Sequence, residues 1–352
     1  MKRKYIAIPG LLLLLAVLLS ACLDQTSTPP APGYTPSTAW YTIYFTDPSK
    51  PNADSYRGGP DMALAAAIDQ ARLSVDMAIF DLNLWSIRDA LIGAHRRGVT
   101  VRVVTESDNL DEPEINDLVE AGIPVLGDRR EGLMHNKFTV IDRQEVWTGS
   151  MNYSTTEAYL NNNNLLRLRS SQLAENYSKE FEEMFTDDLF GPDIRPATPN
   201  PSLTIDGVQV ENYFSPDDHA ADQIIDEIND AQQSIYFLAF SFTADPLAEA
   251  ILARAQSGIT VAGVMEETQA ESNIGGDYKL FLSSGINVRL DGNPRNMHNK
   301  VIIIDKQTVI TGSYNFSNSA ETRNDENIVI IHDAGMAAEY LAEFEKIYGM
   351  AH

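Results

Sequence analysis

Residues 135–152 read HNKFTVIDRQEVWTGSMN, and residues 298–315 read HNKVIIIDKQTVITGSYN. Both follow one frame: H-x-K, four residues, D, six residues, then G-S-x-N, with the second copy 163 residues on (135 to 298). A duplicated core explains repeated apolar positions, because each unit must bury its own hydrophobic face. It gives no reason to keep a histidine, a lysine and an asparagine twice at the same spacing. The repeat therefore carries chemistry as well as fold.

Working outward, the same frame reappears on both sides. Residues 74–80 (SVDMAIF) answer to 234–240 (SIYFLAF), and both read as buried strands. Each leads into a helix, 87–97 or 247–257, that stops at Gly98 or Gly258. A valine-containing strand follows, 99–104 or 259–264, then a shorter helix closing at Gly122 or Gly285. A third strand, 123–126 or 286–290, runs up to the motif. The offset between copies is 160 residues before this second glycine and 163 after it, placing a three-residue insertion around 271–277. Within each motif, 137–142 and 146–149 read as two strands joined by a tight turn at Arg143-Gln144-Glu145, repeated at 300–305 and 308–312. Histidine and lysine, two apart, share one face of the first strand, and the Gly-Ser-x-Asn can return beside them. Each copy closes with an amphipathic helix that aligns Tyr177 with Tyr340 and Phe181 with Phe344. Alternating strands and helices predict an α/β fold, with mixed sheets flanked by helices. The expected organisation is 39–190 as the first domain, 191–207 as a proline-rich linker, and 208–352 as the second. The two are related by a pseudo-twofold with one active site between them.

The beginning of the chain differs. Lys2, Arg3 and Lys4 precede an apolar run and then Leu19-Ser20-Ala21-Cys22, which reads over 1–22 as a lipoprotein-type signal peptide with its lipidation cysteine. An ordinary membrane anchor is the alternative, although the run is short for a span. Residues 23–38, rich in Thr, Ser, Pro and Ala, read as a disordered tether. Cys22 is the only cysteine, which rules out an intramolecular disulfide. A diacylated Cys22 predicts an extracytoplasmic lipoprotein anchored to a bacterial cell membrane.

A formal charge of −24 disfavours general binding to polynucleotide backbones, although net charge does not describe a cleft. The sequence has no HExxH, no cysteine cluster and no carboxylates at ligand spacing, so no metal and no other cofactor is expected.

The duplicated H-x-K…D…G-S-x-N pattern resembles the phospholipase D superfamily, over essentially the whole chain after the tether. The resemblance implies a phosphodiesterase in which one motif histidine attacks phosphorus while the other protonates the leaving group and then activates water. His135, Lys137 and Asn152 of the first copy, with His298, Lys300 and Asn315 of the second, form the expected catalytic set. Imidazoles can attack and transfer protons near neutral pH. The lysines and asparagines supply donors to the phosphoryl oxygens. Asp142 and Asp305 end strands where aspartate braces turns, and are read as structural. Ser150 and Ser313 either contact the site or support the turn. His95, His219, His332 and His352 read as ordinary surface or core residues.

The copies differ at one instructive position. Glu326 lies where the superfamily often places a carboxylate that orients a histidine, whereas the equivalent residue in the first copy is Asn163, which can orient a ring but offers no charge. If Glu326 reaches across to His135, His135 is the nucleophile and His298 the acid. If it serves its own half, the roles exchange. The first arrangement is the one adopted.

Three substrates remain open. A phospholipid, split into phosphatidate and headgroup alcohol by a membrane-tethered monomer, is the preferred reading. A nucleic acid is the alternative, since the compact halves look like the small endonuclease branch; Arg129, Arg130, Arg289 and Arg295 could line a basic cleft. A phosphatidyl transferase of the cardiolipin synthase kind is the third. The acidic loops 106–114 and 267–277 tilt against DNA.

Overall fold

A computed structural model describes residues 39–193, 195–273 and 275–352. The signal peptide, Cys22 and the tether lie outside the described residues. The described chain forms two sheets with matching element orders. The first half runs β1 (Tyr41–Phe45), α1 (Pro60–Gln70), β2 (Ser74–Ile79), α2 (Trp85–Arg96), β3 (Thr100–Thr105), α3 (Pro113–Glu120), β4 (Val125–Gly127), β5 (Lys137–Ile141), β6 (Glu145–Gly149), α4 (Thr155–Tyr159), β7 (Asn164–Arg169) and α5 (Ser171–Phe185). The second half runs β8 (Ser202–Ile205), β9 (Val208–Ser215), α6 (Ala220–Asp230), β10 (Ser234–Ala239), α7 (Asp245–Gln256), β11 (Thr260–Met265), α8 (Glu267–Ser272), α9 (Tyr278–Ser283), β12 (Asn287–Leu290), β13 (Lys300–Ile304), β14 (Thr308–Gly312), α10 (Asn318–Thr322), β15 (Glu326–His332) and α11 (Ala334–Met350).

Strand order is β1-β7-β6-β5-β2-β3-β4 in the first sheet and β12-β11-β10-β13-β14-β15-β9-β8 in the second. Strands β2, β3 and β4 pair in parallel, as helical crossovers require, while the motif hairpin β5–β6 pairs antiparallel beside β2. The α/β expectation with mixed sheets is met. Two expectations change. Residues 202–205, read as the end of a linker, are strand β8, where Leu203 and Ile205 alternate inward beside β9. Much of 267–277, read as a loop, is helix α8, capped by the Glu266 carboxylate accepting from the Gln269 amide at 2.6 Å.

One apolar core joins the halves. Tyr177 and Phe181 of α5, Tyr340 and Phe344 of α11, and inward residues of both sheets such as Phe138, Val140, Val301 and Ile303 belong to it. A second cluster, built from Ile224, Leu247, Ile251, Phe237 and Phe281, packs α6, α7 and α9 on the outer face of the second sheet. The shared core is also stitched by exchanged polar contacts. The Tyr177 hydroxyl donates to Asn327 Oδ1 at 3.0 Å, and the Asn164 amide donates to the Tyr340 hydroxyl at 2.9 Å. Such buried groups must be satisfied, so both halves are fixed in one register.

Asp142 and Asp305 sit at the end of the sheets away from the motif histidines. Asp142 accepts the backbone amides of Arg72, Leu73 and Ser74 at 2.7–3.1 Å. Asp305 accepts those of Gln232, Gln233 and Ser234 at 2.7–2.8 Å. They are structural, as expected, but the piece they brace is the entry into β2 and β10 as well as the hairpin turn.

Candidate active site

The lead-in to each motif strand docks on the other half. The His135 amide donates to the Asp325 carbonyl at 3.0 Å, and the His298 amide donates to the Asn162 carbonyl at 2.9 Å. Because 162 and 325 are equivalent positions, the two contacts exchange halves and bring both histidines to one junction. Lys137 and Lys300 follow on the same strand faces, and each ammonium donates to its own histidine's carbonyl, at 2.9 and 2.7 Å. Two ammonium hydrogens on each lysine remain for a ligand. Phe80 and Phe240, the residues just after β2 and β10, wall the site. Their rings lie 5.0 Å from the His135 ring and 4.5 Å from the His298 ring, with the lysine ammoniums 5.2 and 4.8 Å from the same phenylalanines. Neither phenylalanine stands out in the sequence as more than a strand residue.

Gly-Ser-x-Asn closes the far side. A side chain at Gly149 or Gly312 would put its Cβ 2.4 or 2.1 Å from the carbonyl oxygen of Asn164 or Asn327, so only glycine lets β6 and β14 approach their neighbours here. Ser150 donates to Asn163 Oδ1 at 2.8 Å, and Ser313 accepts the Asn327 amide at 3.0 Å. Ser150 thus holds Asn163, which faces His298, whereas Ser313 holds Asn327, the chain neighbour of Glu326. Asn152 is buried and Asn315 half-buried, and the Oδ1 of each is buried with no hydrogen-bond partner among the described residues. With no internal partner fixing its oxygen, each amide is free to turn its NH2 toward an entering anion.

Each imidazole is oriented from the opposite half. His135 Nδ1 lies 2.8 Å from both carboxylate oxygens of Glu326, which is fully buried. The crossed arrangement adopted from the sequence is the one observed. His298 Nδ1 lies 3.1 Å from Asn163 Oδ1, also as the equivalence predicts. The same nitrogen lies 3.1 Å from Glu157 Oε2, and the Asn163 amide donates to that oxygen at 2.5 Å. This corrects the reading that His298 has no charged partner. Helix α4 of the first half carries Glu157, and the equivalent residue of α10 is Ala320. The half without a carboxylate at the strand position thus carries one six residues earlier, a role that only the approach of α4 to the other half's strand reveals. All the groups facing the two Nδ1 atoms are acceptors, so Nδ1 carries the hydrogen and Nε2 is the free nitrogen in both rings.

Burial decides the protonation states. It pushes His135 below its ordinary value despite the Glu326 carboxylate, and pushes His298 down to about 4, with Lys300 and Lys137 adding to the effect. Burial also lowers Lys137 to about 8 and Lys300 well below the lysine range, the latter helped by Lys137. Burial works to raise Glu157, but His298 and the bonds from His298 and Asn163 prevail and hold its carboxyl far below the usual range. Two lysines crowded together in a buried cleft, with the nearby Glu326 and Glu157 carboxylates drawn to the histidines, form a site that an entering anion stabilises.

The arginines expected in a basic cleft are mostly engaged. Arg130 bonds the Asp325 carboxylate and the Arg323 carbonyl, Arg129 pairs with Asp188, and Arg289 stacks 4.0 Å over Tyr348. Arg295 alone of the four is exposed with no side-chain hydrogen bond or ion pair to a described residue. Glu106, read as part of an acidic substrate loop, is buried; it accepts the Met134 amide at 2.9 Å and supports the lead-in to His135. His332 pairs with Glu211 at 3.2 Å, outside this junction.

The family described as cardiolipin synthase, PLD-like domain, matches residues 64–185 and 224–348. A phospholipase D of Rickettsia bellii is 35% identical over 133 residues, 38% of this chain and 66% of that protein. A mitochondrial cardiolipin hydrolase of Xenopus laevis is 36% identical over 117 residues, 33% of this chain and 56% of that protein. The chain thus spans less than two thirds of these relatives' length. Among solved structures, a phosphatidylserine synthase of Haemophilus influenzae is similar with a TM-score of 0.63 and 14% identity, covering 87% of this chain and 85% of that one, a likeness of fold. No helix among the described residues is long and apolar enough to cross a membrane.

Proposed function

The chain belongs to the phospholipase D superfamily, and from that premise we propose that it is a phosphodiesterase that hydrolyses phospholipids to phosphatidate and a headgroup alcohol. The observation that carries the reading is the pair of Nδ1-anchored histidines beside two ammoniums in one cleft.

His135 Nε2 attacks phosphorus, forming the N–P bond as the P–O bond to the headgroup breaks. The leaving oxygen takes the proton from His298 Nε2. Water then gives a proton to His298 and attacks phosphorus, the N–P bond breaks, and phosphatidate departs. Positive charge grows on His135 during attack, and the two-oxygen contact with Glu326 favours that role. His298 is held neutral in the empty cleft, so its proton must come with the substrate: an anionic phosphoryl group between the lysines removes the repulsion that keeps His298 low. Lys137, Lys300, Asn152 and Asn315 bind the nonbridging oxygens. Glu157 and Asn163 position His298.

The engaged arginines and the formal charge of −24 favour lipid over polynucleotide. Transfer to an alcohol in place of water is the second reading, favoured by the description of the matching family. Cys22 lipidation places the enzyme on a membrane outside the cytoplasm, acting as a monomer; Cys22→Ala should shift it from the membrane to the soluble fraction, and retention there counts against this anchor.

The test follows headgroup release from mixed phospholipid vesicles beside cleavage of single- and double-stranded DNA, in chelator, with His135→Ala as control. Lipid turnover that vanishes in the variant supports the proposal. DNA cleavage without lipid turnover overturns it, and cardiolipin formed from phosphatidylglycerol favours the transferase.

A further inference from the structure

Three large apolar side chains stand exposed at the site end of the first sheet. Trp85, the first residue of α2, is 70% exposed; Met62, near the start of α1, is 50% exposed; and Tyr56 is 48% exposed. Isolated exposed hydrophobics mean little, but these are grouped. The Ser86 hydroxyl donates to Asp61 Oδ2 at 2.5 Å, tying the start of α2 to the start of α1. The Tyr159 hydroxyl donates to Asp61 Oδ1 at 2.7 Å, and the Tyr56 ring sits edge-on to Tyr159 at 5.8 Å. One buried carboxylate therefore gathers all three.

The group adjoins the catalytic junction through α4, which sends Glu157 to His298 and Tyr159 to Asp61. The segment leading to Trp85 lies along the start of α4 as well, with Asn83 Oδ1 accepting the Thr155 amide at 2.8 Å. Beside it, a cavity of about 290 Å³ is lined by Lys50, Arg57, Pro60 and Tyr159 among others. Arg57 is exposed and makes no ion pair with a described residue, and Lys50 lies only within 3.9 Å of Asp47.

The second half provides an internal control. Helices α6 and α7 have the same lengths as α1 and α2 at an offset of 160 residues. There, the positions of Met62 and Trp85 hold Asp222 and Asp245, both exposed. The fold accepts aspartate at these helix starts, where the helix dipole favours it. The first half carries methionine and tryptophan in a chain otherwise rich in surface acid.

We propose that this end of the first half docks on a lipid surface, with Trp85, Tyr56 and Met62 entering the headgroup boundary and Arg57 and Lys50 meeting lipid phosphates. Tryptophan and tyrosine favour that boundary because they join an apolar ring to a polar atom. The proposal rests on the phospholipid reading for its purpose, but its test does not depend on turnover.

The test substitutes the second half's residues, Trp85→Asp with Met62→Asp, in the full chain. Vesicle phospholipid turnover should fall at least about tenfold, while turnover of a dissolved short-chain phospholipid stays within about twofold. Equal loss on both substrates, or none on either, overturns the proposal. Fluorescence supplies the independent reading. Trp147 is buried and Trp40 is half-buried against the shared core, so Trp85, the most exposed of the three tryptophans, should dominate a blue shift on phosphatidylglycerol–phosphatidylcholine vesicles that Trp85→Phe abolishes. A blue shift without lipid turnover keeps the docking surface and removes the substrate reading. No blue shift removes the docking surface, as does a monomer–dimer shift abolished by the two substitutions, which assigns the face to a second copy.

Discussion

His135 and His298 occupy equivalent positions, yet they are held by different means. His135 has one partner, Glu326 on β15, with both oxygens at 2.8 Å. His298 has two, the amide of Asn163 on β7 and the carboxylate of Glu157 on α4, each at 3.1 Å. What the halves share is a negative charge at Nδ1; the residue that delivers it differs. A carboxylate on a helix and one on the following strand reach the same nitrogen because α4 or α10 turns directly into β7 or β15. The difference also separates the two rings electrostatically, as suits a nucleophile and a proton carrier.

The broadest way to break the comparison is to remove one histidine at a time. His135→Ala and His298→Ala should each lower turnover by about a thousandfold or more, because one site needs both. Steady-state rates check this, and substantial activity in either variant would mean two independent sites. Exchanging the supports is sharper. Glu157→Ala should cost about a hundredfold, and adding Asn163→Glu, which gives the first half the second half's pattern, should restore most of it. A purely structural Glu157 would not be rescued that way. Glu326→Gln should cost more than Glu157→Gln, since His298 keeps Asn163.

A smaller effect concerns the lysines. Lys137 is lowered to about 8, and its charged form exists below that value. Lys300, also held well below the lysine range, loses its charge too, so kcat/KM, which reports the free enzyme, should fall as pH rises toward and through about 8, and Lys137→Arg should remove the part of that fall that belongs to Lys137. The smallest effect on activity belongs to the motif aspartates. Asp142→Ala and Asp305→Ala should each destabilise the fold by about 1–3 kcal/mol by leaving backbone amides unpaired, with kcat nearly unchanged in the folded fraction. Thermal unfolding beside rates at low temperature separates the two.

Much of this was legible because the chain states it twice. His135, Lys137, Asn152 and their counterparts were marked by spacing and the asymmetry of the halves by the mismatch of Glu326 with Asn163, while the crossed reach of Glu326 came with the superfamily resemblance. Glu157 was not legible, since position 157 aligns with Ala320 and only the three-dimensional proximity of α4 to the other half's strand gives it a role. The arginines before the motifs misled for a related reason. Charge near a site in sequence says nothing of partners, and Asp325, Asp188 and the Tyr348 ring engage three of them from elsewhere in the chain. Strand β8 was hidden by the prolines before it, which masked a short alternating stretch.

The most direct measurement is to trap the covalent intermediate. His298→Asn lacks the proton carrier, so a phosphodiester with an activated aryl leaving group should load the enzyme and then stall, because no base remains to activate water. Mass spectrometry of the quenched, digested protein should find the phosphoryl adduct on the peptide containing His135. An adduct on the wild-type peptide containing His298, or none in either protein during turnover, would contradict the division of roles between the two halves.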